Sequence, residues 1–181
     1  YIAGSNLPLS VTITAFATIV APIMTPFWMK LLAGQFVPVD FLQMMWGVFK
    51  ITIIPVGAGL LFNKFMQGRA KWLDRLLPLV SMGGIVFIIV VITSAGRDNL
   101  IKVGLVLLGA EMIHNIAGYT FGYWGSRLAG LDERSCRTVA IEVGLQNGGM
   151  GSALAINVLK SPAAALAPAI FGPCMNISGS V

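Results

Sequence analysis

Residues 141–152 read IEVGLQNGGMGS, and Glu142 is the one ionisable side chain between Thr138 and Leu159. Four glycines, Gly144, Gly148, Gly149 and Gly151, crowd eight residues beside it. Each costs about 1 kcal/mol relative to alanine inside a helix, so the pattern predicts a break near Gly148–Gly149. A carboxylate in such a segment can carry a proton after desolvation, bind a hard cation, or pair with a cationic side chain such as Lys50 or Arg137. Its company favours the cation. Gln146 offers a carbonyl oxygen one turn on, and unwound backbone offers more. Ser10 and Thr14 share a helix face at i, i+4 and supply two hydroxyls if their helix packs alongside. Half-helix ends and unwound carbonyls are what secondary transporters use to coordinate Na+. A bound Na+ would also neutralise Glu142 in place. Ser and Thr have a blander role as packing residues between membrane helices.

A second polar group is EMIHN, with Glu111 and His114 at i, i+3 and His114 the single histidine of the chain. Glu-x-x-His binds metal when a second such motif faces it, and no histidine remains to build one. The pair therefore reads as packed and hydrogen-bonded.

The elements that must position these residues are membrane spans. The 181 residues are 56% hydrophobic and 10% charged, with a mean hydropathy of +0.84. A soluble domain carries about a quarter charged residues, and a span needs roughly 20 apolar residues. Six stretches qualify: Leu7–Met29, Phe41–Phe62, Leu76–Gly96, Val103–Ser126, Thr138–Leu159 and Ser161–Val181. The expected fold is all-α and polytopic. The net charge of +5 lies between spans and follows the positive-inside rule, not nucleic-acid binding. Lys64, Arg69, Lys71 and Arg75 in one loop, and Arg127, Arg134 and Arg137 in another, mark the cytoplasmic side. Lys30, Arg97, Lys102 and Lys160 mark the other. Cys136 and Cys174 lie at or within spans and read as small apolar filler, with no disulfide framework. The proline-marked runs APIMTP and APAIFGP, near the two ends, hint at the repeats common in transporters. Tyr1 is no initiator and Val181 ends within an apolar run, so the chain reads as part of a longer one.

Several motifs together resemble one family. EVGLQN (142–147) is similar to the crossover-helix signature of the bile acid:sodium symporter family, and the match extends to its bacterial-type members. LSVTIT with APIMTP (9–26) resembles that family's fifth helix, HNIAGYTFGY (114–123) its eighth and NISGSV (176–181) its tenth. The resemblance implies ten helices in two inverted repeats, arranged as core and panel domains with crossing broken helices. About six spans are present here. Residues 1–32 would end the first repeat, as the tail of helix four and helix five of the core. Residues 33–96 would be panel helices six and seven. Residues 97–181 would be core helices eight to ten, with the break at 138–159.

The resemblance further implies two sodium sites. Ser10, Thr14 and Glu142 would form the first. Glu142, Gln146 and the backbone oxygens near Val143 and Leu145 would form the second. Asn147 and Asn176 would face the substrate. The family's Ser-Asn pair of the fourth helix falls before Tyr1 and is not Ser5-Asn6, which belongs to a linker. A glutamine of the third helix is likewise outside the chain. Met175-Asn176 stands where the family often has His-Asn, so a histidine donor to the anion is lost, and the expected substrate is a bile-acid-like anion or a smaller carboxylate. Lys50 sits where the family tolerates lysine and reads as structural. The expected protein is a monomeric sodium symporter for an organic anion in a bacterial inner membrane, not an enzyme. A proton-coupled carrier or antiporter built on Glu142 is the alternative. A membrane-embedded enzyme using Glu111 and His114 has a single histidine and no nucleophile motif to support it.

Overall fold

The computed structural model describes residues 4–35, 38–66 and 71–180, without the side chains at 71, 74 and 75. Tyr1, Arg69 and Val181, and the side chains of Lys71 and Arg75, lie outside the described residues. Seven helices and no strand are found among those described. They are α1 (Leu7–Ala33), α2 (Phe41–Met66), α3 (Lys71–Ala95), α4 (Arg97–Leu128), α5 (Glu133–Gly144), α6 (Gly148–Asn157) and α7 (Pro162–Ser178). Four are long and apolar enough to cross a membrane: α1, Leu76–Ala95 of α3, α2 and α4. The fifth expected span is two half-helices, α5 and α6. The sixth is α7, whose 17 residues extend about 25 Å at 1.5 Å per residue.

Local chemistry sets the helix ends. The Asn6 side chain accepts from the Leu9 amide and caps α1, with Pro8 in the first turn. Pro22 and Pro26 lie inside α1 without ending it, and both are buried. Asp132 caps α5. A hydrogen bond from the Ser135 side chain, with the Ser135 and Arg134 amides, holds the Asp132 carboxyl below its ordinary value. Ser161 caps α7 ahead of Pro162, and Lys160, at φ +53°, reverses the chain between α6 and α7.

The buried interior is thin and centred on α6. One cluster joins Ile92 of α3, Ala155 of α6 and Ala165, Leu166 and Ala169 of α7. A second joins Met44 and Val48 of α2 to Leu154 of α6. Large side chains such as Phe16, Ile19, Leu105, Val106 and Phe121 face outward. In water they would form an adhesive surface; against lipid chains they need no cover. The chain is an integral membrane protein.

Candidate functional site

The helix breaks at Leu145–Asn147, earlier than the glycines alone suggested. Gly148, Gly149 and Gly151 lie within α6. Their absent side chains serve packing. A Cβ on Gly148 would lie 2.7 Å from the Pro168 carbonyl oxygen of α7, and one on Gly151 would lie 2.9 Å from the Pro168 ring. The new helix begins where Asn147 accepts a hydrogen bond from the Met150 amide at 2.9 Å. An ended helix leaves its last carbonyls without donors. The Gly144 oxygen receives the Asn115 side-chain amide at 3.0 Å. The Val143 oxygen faces Gly118 of α4.

Glu142 points from the end of α5 to α1. The Ser10 hydroxyl donates to its Oε1, and the Thr14 hydroxyl donates to its Oε2 at 2.8 Å. The i, i+4 spacing thus puts both hydroxyls on one carboxylate. A second tie holds α1 to α5: the Asn6 amide donates to Thr138 Oγ1 at 2.7 Å, and Arg134 Nε donates to the Ser5 carbonyl at 3.2 Å. The ion-pair reading of Glu142 does not hold. Arg137 engages Glu133 one turn earlier at 3.0 Å, and Lys50 Nζ lies 5.8 Å from the Trp46 ring centre on its own helix.

Gln146 turns the other way, toward α4. His114 Nε2 lies 3.0 Å from its Oε1 and 2.8 Å from its Nε2, so the ring tautomer decides which amide atom it binds. The expected Glu111–His114 pair is therefore corrected. His114 reaches the unwound segment, while both Glu111 carboxyl oxygens are buried without a hydrogen-bond partner among the described residues. Three residues of helix set the two side chains only about 60° apart on one side of α4, and the facing elements gave them different fates. Among the described residues, no three His, Cys, Asp or Glu side chains converge to hold a metal ion. Any cation here takes hydroxyl, amide, carboxylate and carbonyl oxygens, the donor set of a hard ion.

A cavity of about 1220 Å³ runs along α1, α2, α6 and α7, with Thr14, Glu142, Gln146, Asn147 and Phe171 in its wall. Asn176 is not in that wall. Its side-chain amide donates to the Gly172 carbonyl of its own helix at 2.9 Å. Sequence reasoning passed over Asn115, which is buried and joins three elements. Besides Gly144 it takes the Ser178 hydroxyl at 2.7 Å, and Ser178 Oγ lies 3.2 Å from the Tyr119 hydroxyl. It also passed over Gly118 and Gly122, whose four-residue spacing is the small-xxx-small signature of close helix contact. They meet the backbone of α5.

The model of the sodium bile acid symporter family matches residues 1–103, more than half of the chain. The chain belongs to that family. It is 36% identical over its whole length to the uncharacterized sodium-dependent transporter YocS of Bacillus subtilis (strain 168), covering 56% of that protein. It is 33% identical over 181 residues to the probable sodium/metabolite cotransporter BASS1, chloroplastic, of Arabidopsis thaliana, covering 45% of it. It is 31% identical over 184 residues to the probable sodium/metabolite cotransporter BASS2, chloroplastic, of Oryza sativa subsp. japonica, covering 43% of it. The chain thus spans about half the length of the curated relatives it matches. In this chain Ser10, Thr14, Glu142 and Gln146 gather side-chain oxygens around one helix break.

Proposed function

We propose that this chain contributes one wall of a sodium-coupled symporter for a small organic anion, working by alternating access in the plasma membrane. The observation that carries the reading is the convergence of Ser10 and Thr14 on Glu142 at the end of α5. Ser10, Thr14 and Glu142 would hold one Na+. Glu142 and Gln146, with the backbone oxygens of Val143 and Leu145, would contribute to a second. Hydroxyl and carboxylate oxygens suit this ion; Na+ would be bound by the hydroxyl oxygens and supply the counter-charge that the neutral hydroxyl donors do not give Glu142. Ion binding would fix α1 against α5 and complete the cavity in which Asn147, with Asn176 after rearrangement of α7, would meet the anion.

The full protein in this reading has ten helices in two inverted repeats. Residues 1–32 and 97–181 belong to its core and residues 33–96 to its panel. The relatives named as sodium-dependent or sodium/metabolite transporters support the coupling ion. The test is Na+-dependent thermal stabilisation and anion uptake by the full-length protein. Glu142→Ala is expected to abolish both. Retention of Na+ dependence in that variant would overturn the proposal. Uptake driven by a pH gradient in Na+-free buffer would assign Glu142 to proton carriage instead.

A further inference from the structure

Glu111 has no part in the sodium reading, yet it is among the most unusual groups of the chain. It lies fourteen residues from the start of α4 at Arg97 and seventeen from its end at Leu128, roughly 20–25 Å in each direction at 1.5 Å per residue. That is the depth of the bilayer interior. The residue is 8% exposed, and both carboxyl oxygens are buried with no donor among the described residues.

Among the described residues, the surroundings offer no counter-charge. On its own helix, Leu107 packs one turn before it on the α3–α6–α7 cluster, and Asn115 one turn after it is committed to Gly144 and Ser178. His114, three residues on, is turned to Gln146 and lies edge-on to Phe171 of α7. From α7 the titratable neighbour is the Cys174 thiol. Residues 76–95 of α3 and all of α6 carry no ionisable side chain. On α5, Glu142 is occupied by Ser10 and Thr14, and Arg137 by Glu133. Pro173 lies inside α7, so the Ala169 carbonyl, four residues back, has lost its helical donor. A buried charge without a partner is far costlier than a neutral group, and such a carboxylate escapes the cost by taking a proton.

We infer that Glu111 is a proton-binding site, separate from the oxygen cluster at Glu142, which holds its proton while α4 and α7 are packed and exchanges it when they part. The chemistry is reversible protonation of a carboxylate, with water as donor and acceptor in the open state. The seam between α4 and α7 thereby becomes sensitive to pH independently of Na+.

The experiment is infrared spectroscopy of the full-length protein in lipid at neutral pH. Wild type is expected to show the carbonyl stretch of a protonated carboxylic acid, shifting only slowly in heavy water, and Glu111→Gln to lack it. Glu111→Gln, which keeps the shape and the neutral state, is expected to fold and to retain its Na+ dependence while the pH dependence of thermal stability flattens. If the band is absent from wild type or survives in Glu111→Gln, the inference is overturned. Loss of Na+ dependence in Glu142→Ala with the Glu111 band intact separates this site from the proposed sodium reading.

Discussion

Gly122→Ala puts one methyl group where α4 touches α5. Its Cβ would lie 2.9 Å from the Ala140 Cα and 3.0 Å from the Val139 carbonyl oxygen. Both are backbone atoms, so no rotamer change relieves the contact. Restoring an ordinary separation of about 3.4 Å moves α5 back by roughly 0.5 Å, and overpacking of this kind costs about 1–3 kcal/mol. For a chain of this size each kcal/mol lowers Tm by about 2–4 °C, giving an expected drop of roughly 2–12 °C. The displacement also reaches Glu142, two residues beyond Ala140, and stretches its 2.8 Å contact with Thr14. Loss of one hydrogen bond's net worth, about 0.5–1.5 kcal/mol, weakens apparent Na+ affinity about two- to tenfold. The assay is a Na+ titration of thermal stability in detergent, with Gly125→Ala as control. A Cβ on Gly125 meets open space, so alanine there is expected to be neutral or to stabilise by roughly 0.5–1 kcal/mol. If Gly122→Ala behaves like Gly125→Ala, the close approach of α4 and α5 is not what positions Glu142.

Two further outcomes follow from the contacts of α4. Asn115→Leu leaves the Gly144 oxygen without its donor and Ser178 with only the Met175 carbonyl as acceptor, and is expected to cost about 1–3 kcal/mol, read as a lowered Tm with or without Na+. His114 should orient the Gln146 amide so that its oxygen is presented to the cation. His114→Leu is then expected to weaken Na+ affinity about two- to tenfold, one hydrogen bond's worth, yet to have little effect in a Gln146→Glu background. A carboxylate has two equivalent oxygens and needs no orienting. Equal losses in both backgrounds would show that His114 acts through general packing.

Some of the site was legible because it depends on spacing along one element. Ser10 and Thr14 had to share a face of α1 whatever packed against it. Glu142 had to be compensated because no carboxylate stands free in an apolar span. That α1 would lie beside α5 came from no spacing, since the two contacts with Glu142 join residues 132 and 128 apart. The glycines illustrate the same limit. Composition predicted a break, but glycine lowers helix stability and also permits close approach, and sequence does not say which use prevails. Here Gly148 and Gly151 are spent on Pro168, and the break falls on Leu145–Asn147 instead.

Composition and periodicity by themselves determined that this is a helical membrane protein, that its fifth pass is interrupted, and that a carboxylate there requires company. These follow from the solvent: a bilayer demands apolar length and satisfied backbone, and both are written in order along the chain. Only the tertiary structure decided that His114 turns to Gln146 while Glu111 is sealed without a partner, that Asn115 takes the freed Gly144 carbonyl, and that Asn176 turns back onto its own helix. Spacing fixes which residues share a helix face, but the rotation of that face against its neighbours is set by packing among residues far apart in sequence.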